Sequence, residues 1–173
     1  MKLSSKLAAA GAVVGAALSA TLMTTPAHAA SYNVNLAVGR LGTGAALCLD
    51  ADGSSGDIYN GDRVMLFPCD NTDYFQVWEM FDDGSIRSAL HWDYCLDANW
   101  TPDGYHAGTR VTVYQCNDGA NQKWYRTSND GLLHNGANTN LVLDATGGTP
   151  VYRGQNVELW YKNGDDNQIW RES

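Results

Sequence analysis

One unit of about 46 residues is written three times in this 173-residue chain, and that repetition limits the fold more than any other feature. Asp50, Asp97 and Asp144 stand 47 residues apart, and Trp78, Trp124 and Trp170 stand 46 apart. Gln76, Gln122 and Gln168 precede each tryptophan by two residues. The middle copy, residues 94–124, reads YCLDANWTPDGYHAGTRVTVYQCNDGANQKW. It holds a Cys-Leu-Asp strand, a long polar loop, an alternating strand over 110–116 and a closing Gln-Lys-Trp. A unit this short cannot bury its apolar face alone, so the copies must share one core.

Short alternating or apolar runs read as strands. They fall at 32–38, 45–50, 64–69 and 76–81, then at 85–90, 94–97, 110–116 and 122–127. The last copy has Leu132 and Leu133, then runs at 141–144, 157–161 and 168–171. Residues 51–61, rich in Gly, Ser and Asp, read as a loop, and Pro68 marks a strand end. Asp83-Gly84 and Asp130-Gly131 are hairpin turns, because both residue types tolerate positive φ. The chain stops before a third Asp-Gly turn. The strand at 32–38 is therefore expected to pair with the strand at 168–171. No window outside the first thirty residues carries a sustained helical period. The expectation is an all-β fold of three repeats, about 32–81, 82–128 and 129–173, with about four strands each. Closure of the three units removes exposed strand edges, and the three tryptophans face the shared core.

Residues 1–29 have the pattern of a secretory signal. Lys2 and Lys6 precede an apolar run over 7–23, and Ala27-His28-Ala29 is a cleavage-type triplet. Cleavage is expected after Ala29, with Ala30 as the alternative. The run is short for a membrane anchor and is interrupted by Ser19 and Thr21. What remains, 30–173, is 144 residues, enough for one domain with a single core. Lys2 and Lys6 leave with the signal, so nine basic residues face nineteen acidic ones, a formal charge of −10. Nucleic acid and anionic membranes call for basic patches and are excluded as partners. The expectation is a secreted, extracellular monomer without cofactor or membrane insertion, suited to a neutral or cationic partner.

Cys48 and Cys69 are 21 residues apart, as are Cys95 and Cys116. Export permits disulfides, and four cysteines allow three connectivities. The repeat favours Cys48–Cys69 and Cys95–Cys116, since the third copy replaces both positions together, by Val142 and Lys162. Each bridge stabilises by about 3 kcal/mol in the chain-entropy account. A structural zinc site is the alternative, although no Cys-x-x-Cys or paired-histidine spacing is present.

Three copies of this pattern resemble the ricin B-chain type lectin domain, a β-trefoil whose bacterial members are grouped as carbohydrate-binding module family 13. The shared elements are CLD, an alternating strand ending in an aromatic residue, and Gln-x-Trp. The resemblance spans about residues 32–172. It implies a shallow sugar site in each repeat. There the aspartate ending the CLD strand accepts hydrogen bonds from sugar hydroxyls, an aromatic ring stacks on the sugar, and an asparagine before the glutamine donates to the same hydroxyls. That chemistry is sound: a carboxylate forms charge-assisted bonds with hydroxyls, and a ring face covers the C–H side of a pyranose. Carried over, the second repeat supplies Asp97, Tyr114, Asn121 and Gln122, and the third Asp144, Trp160, Asn167 and Gln168. The first supplies Asp50, Phe67 and Gln76, but Phe75 stands where the asparagine belongs, so this site is expected to be weakened or lost. Asn117 and Asn163 lie three residues past the aromatics and add a possible contact. The glutamines also have a structural reading, as supports for the loop and the asparagine. The partner implied is a polysaccharide or glycoconjugate of galactose, lactose or xylan type.

Catalysis has little to stand on. Threefold placement separates the three aspartates, whereas glycosidases need paired carboxylates about 5–10 Å apart. His91, His106 and His134 do not recur between repeats, and no hydrolase elbow, metalloprotease motif or phosphate loop occurs. Asp50-Ala51-Asp52-Gly53 matches the start of a calcium loop without its downstream glutamate. Asn99-Trp100-Thr101 is a glycosylation sequon, and Trp100, Tyr105 and His106 occur in the second repeat alone. The reading is a non-enzymatic carbohydrate binder. Two alternatives remain: a β-trefoil acting through protein surfaces, as a protease inhibitor does, and a glycan-acting enzyme on the same scaffold.

Overall fold

The computed structural model describes residues 29–38, 46–126 and 130–173. The expected signal segment lies outside these residues except for Ala29, and Thr127, the end of one expected strand, also lies outside. Twelve strands are formed: β1 Ala29–Val38, β2 Leu47–Ala51, β3 Val64–Pro68, β4 Val77–Phe81, β5 Ile86–Ser88 and β6 Tyr94–Ala98, then β7 Thr109–Gln115, β8 Trp124–Arg126, β9 Leu133–Asn135, β10 Leu141–Ala145, β11 Val157–Tyr161 and β12 Trp170–Glu172. The only helical elements among the described residues are four three-residue 3-10 turns.

Two kinds of strand pair alternate around the molecule. The long hairpins β2–β3, β6–β7 and β10–β11 each pair five residues with identical register: Asp50 faces Met65, Asp97 faces Thr112, and Asp144 faces Glu158. The shorter pairs β4–β5 and β8–β9 follow the Gln-x-Trp segments. The third shorter pair is split between the chain ends, as expected. Leu36, Ala37 and Val38 of β1 pair with Glu172, Arg171 and Trp170 of β12. The three hairpins also close on one another in a cycle. Arg63 bridges Thr112, Arg110 pairs with Glu158, and Asn156 bridges Met65, so the third repeat returns to the first. The result is the β-trefoil.

The core is what the repeat demands. Trp78, Trp124 and Trp170 are 0 %, 3 % and 0 % exposed. Each indole N–H donates to a main-chain carbonyl, of Leu49, Leu96 and Leu143 respectively, at 3.0, 2.9 and 2.9 Å. A buried indole with an unpaired N–H would carry a desolvation cost, and here none is left unpaired. The accepting leucines are fully buried and immediately precede Asp50, Asp97 and Asp144. The repeated tryptophan thus fixes the strand end from which the repeated aspartate projects.

Both favoured disulfides are present, Cys48–Cys69 and Cys95–Cys116. In the third repeat Val142 takes the first position, fully buried, while Lys162 turns outward and pairs with Asp130 at 3.7 Å. The glutamines depart from expectation. Gln76, Gln122 and Gln168 lie in 3-10 turns, Tyr74–Gln76, Ala120–Gln122 and Asp166–Gln168, instead of opening strands. Each glutamine N–H closes its turn onto the carbonyl three residues back, of Asp73, Gly119 and Asp165. The expected strand at 85–90 shortens to Ile86–Ser88, and Ser88 Oγ instead accepts from the Leu90 N–H.

Candidate functional site

The 3-10 turns bring two consecutive amide side chains onto each aspartate. In the second repeat, Asp97 Oδ2 accepts from Asn121 Nδ2 at 2.9 Å and from Gln122 Nε2 at 2.7 Å. In the third, Asp144 Oδ2 accepts from Asn167 Nδ2 at 2.9 Å and from Gln168 Nε2 at 2.7 Å. Both donors converge on Oδ2, and neither set uses Oδ1. Directly opposed residues of a hairpin share a face, as do residues two apart along a strand. Tyr114 therefore stands on the same face as Asp97, and Trp160 on the same face as Asp144. These rings are 42 % and 41 % exposed, while the aspartates at their feet are buried. A ring open to solvent can stack on a flat apolar face, and the fixed carboxylate beside it can accept from a hydroxyl at the edge of that face.

The amides are engaged within the protein. Gln122 and Gln168 are 1 % and 0 % exposed. Besides the aspartate, their Nε2 groups donate to the carbonyls of Gln115 and Tyr161. Their Oε1 atoms accept from the N–H groups of Asn117 and Asn163. Both are buried with every side-chain N–H engaged, the arrangement of the structural reading, in which they support the loop and position the aspartate. Asn121 and Asn167 share their second N–H with the carbonyls of Ala98 and Ala145 at 3.1 and 3.0 Å. They too hold the carboxylate, and the expected donation to sugar hydroxyls has no free hydrogen in this arrangement. Asn117 and Asn163 remain exposed, each with Oδ1 accepting a local N–H, from Gly119 and Asp165.

Burial raises the pKa of all three aspartates, and the amide donors offset only part of the rise. Asp50 and Asp144 are pushed up to about 6, and Asp97 moves in the same direction. Burial and then the nearby Asp144 charge push Glu158 up as well, and burial followed by the Asp97 charge does so for Tyr105. Tyr105 therefore stands closer to the second site than its place in a single-copy loop indicated. Glu158 was not singled out in the sequence. Its signal was present, since 158 is the position that faces the repeated aspartate and carries Met65 and Thr112 in the other copies.

The first repeat keeps the frame and loses the opening. Asp50 Oδ2 accepts from Gln76 Nε2 at 2.9 Å, and Gln76 Oε1 accepts from the Asp70 N–H, as in the other repeats. Phe75 replaces the asparagine and packs its ring on Gly53, where an added Cβ would lie 2.7 Å from ring carbons. Phe67 is partly buried, with the Arg153 guanidinium 4.7 Å from its ring centre. Among the described residues no group of three or more His, Cys, Asp or Glu side chains is arranged to hold a metal. No described helix is long and apolar enough to cross a membrane.

Comparison with solved structures returns lectins on this fold. The β-trefoil lectin of the Vibrio vulnificus hemolysin/cytolysin, solved with N-acetyl-D-lactosamine bound, is 28 % identical over 83 % of this chain and 95 % of its own, with a TM-score of 0.62. The agglutinin of Abrus precatorius is also 28 % identical, over 82 % of this chain and 47 % of its own, with a TM-score of 0.62. The C-half of an earthworm R-type lectin in complex with GalNAc is 17 % identical over 82 % of this chain and 98 % of its own, and shares the fold with a TM-score of 0.63. No curated protein matches the chain at a significant level. The sequence profile of the ricin-type beta-trefoil lectin domain matches residues 37–170. With that span covering most of the chain, and all three repeats closing as described, the protein belongs to the ricin-type β-trefoil lectin domain family.

Proposed function

We propose that this protein is a secreted, non-enzymatic lectin that binds galactose-type or xylan-type glycans through the second and third repeats. One observation carries the reading: Asp97 and Asp144 are each held by an Asn-Gln pair beside an exposed ring, twice over with the same distances. A pyranose stacked on Tyr114 or Trp160 places its hydroxyls near Oδ1, the carboxylate oxygen left by the amides. The Vibrio vulnificus domain and its bound N-acetyl-D-lactosamine support a galactose-type ligand. The two sites lie in different repeats, so one polymer can engage both. Single sites of this kind are weak, and a second linked site raises retention by about 10²–10⁴-fold when the polymer spans both.

The test is retention on insoluble polysaccharide with free galactose, lactose, xylose and mannose as competitors. A lectin is released by one of these sugars. Binding indifferent to all four points to a protein-surface role, and release of reducing ends over time points to an enzyme. Either result overturns the proposal.

A further inference from the structure

Each aromatic platform is flanked by a loop from a different repeat. Gly61, Gly108 and Gly154 keep the repeat spacing, and all three have positive φ, 89°, 89° and 81°, a conformation that glycine adopts at no steric cost. Their N–H groups donate across repeats to the carbonyls of Val113, Leu159 and Leu66, at 2.8, 2.8 and 2.7 Å. Those acceptors are the residues immediately before Tyr114, Trp160 and Phe67. The residue preceding each glycine is therefore carried to the edge of a ring that belongs to another copy: Asn60 to Tyr114, Ala107 to Trp160, and Arg153 to Phe67.

What those three residues do differs. Asn60 turns its Oδ1 to the Gln115 N–H at 2.7 Å, and Tyr114 stays open. Ala107 has no side chain long enough to cover a ring, and Trp160 stays open. Arg153 lays its guanidinium over Phe67. We propose that Arg153 closes the first-repeat platform, and that the residue before the loop glycine, lent by the adjacent repeat, decides which of the three platforms a sugar reaches. This inference rests on the reading of Tyr114 and Trp160 as sugar platforms. A guanidinium over a ring face occupies the surface that a pyranose needs, and a sugar can stack only by displacing it. Phe75 is a second, separate change, because it stands at the asparagine's position, packs its ring on Gly53 and has no side-chain N–H to hold Asp50.

The experiment uses the full chain with Asp97→Ala and Asp144→Ala, which silence the second and third repeats. Phe75→Asn and Arg153→Ala are added singly and together, and titration calorimetry follows N-acetyl-D-lactosamine and xylotriose. The combined variant is expected to regain binding of whichever sugar the wild type takes, and the two single variants are not. Wild-type binding without rescue in a folded combined variant overturns the inference alone. A wild type that takes neither sugar overturns it together with the lectin reading.

A converse variant does not touch the packed Phe75. In the Asp144→Ala protein, where only the second repeat binds, Asn60→Arg is expected to lower affinity about tenfold. Asn60→Ala, which loses the same bond to Gln115 without covering the ring, lowers it less. Equal affinity of the Asn60→Arg and Asn60→Ala proteins contradicts the proposed cover.

Discussion

The first repeat and the other two share a frame and differ in what faces solvent. In all three a buried glutamine ties the aspartate to the turn after the aromatic strand, and a buried tryptophan ties the preceding leucine to the core. The Asp–Gln bond thus persists where the ring is capped and the asparagine is gone. It belongs to the fold as much as to binding. The asparagine and the open ring are present together in two repeats and absent together in one, and on the proposed reading the ring meets the ligand while the asparagine holds the carboxylate beside it. On that reading an aspartate in this register is a poor indicator of a working site by itself, and the open ring is a better one.

The largest effect separates the repeats outright. Changing Asp97 and Asp144 together to alanine is expected to abolish retention on polysaccharide. Either change alone costs the avidity of the pair, about 100-fold in polymer retention, while leaving monosaccharide affinity at the remaining site intact. Asp50→Ala leaves retention unchanged in a folded protein. Retention by the folded double variant, or its loss from the Asp50 variant alone, breaks the comparison.

Next in size are the rings. Trp160→Ala or Tyr114→Ala should weaken its own site about tenfold in calorimetric affinity, through loss of the stacking surface. Phe67→Ala should change no sugar affinity, because Arg153 already covers that ring. A loss on Phe67→Ala equal to that on Tyr114→Ala means that the first platform is in use.

Much of this was legible in the sequence because a period is a global property. Two spacings, 47 and 46, carry the three-part closure, the pairing of β1 with β12 and the choice among three disulfide connectivities. Local detail was less legible. A three-residue 3-10 turn is too short to show a period, so the glutamines read as the first residues of strands. Their burial could not be read either, since it depends on Asn117 and Asn163 offering main-chain N–H groups from the far side of the turn. Arg153 over Phe67 joins residues 86 positions apart in different repeats. It becomes visible only when one knows which loop leans on which strand. The glycines in register at 61, 108 and 154 were the available clue.

The smallest expected effect is on pH, and it too sets Asp144 against Asp50. Both are pushed up to about 6 by burial, but only Asp144 stands beside an open ring. Two amide N–H groups hold Asp144 Oδ2, so an added proton settles on Oδ1. The oxygen that would accept from a sugar then becomes a neutral donor. Exchanging a charge-assisted bond for a neutral one costs about 1 kcal/mol, or about fivefold in affinity. Third-repeat binding, read in the Asp97→Ala protein, is thus expected to fall as pH drops through about 6. Stability moves the other way. A carboxyl whose folded pKa lies above its unfolded value of 3.8 binds its proton more readily in the folded state. Its stabilising contribution is full below that value and is lost as pH rises to about 6. Weaker binding on mild acidification therefore cannot be blamed on these groups unfolding the protein. Asp50→Asn should flatten part of the stability profile and leave the binding profile alone. Asp144→Asn should flatten the binding profile at the affinity of the acid form. If Asp50→Asn alters the binding profile of the Asp97→Ala protein, the first repeat is coupled to the third, and the separation of frame from opening fails.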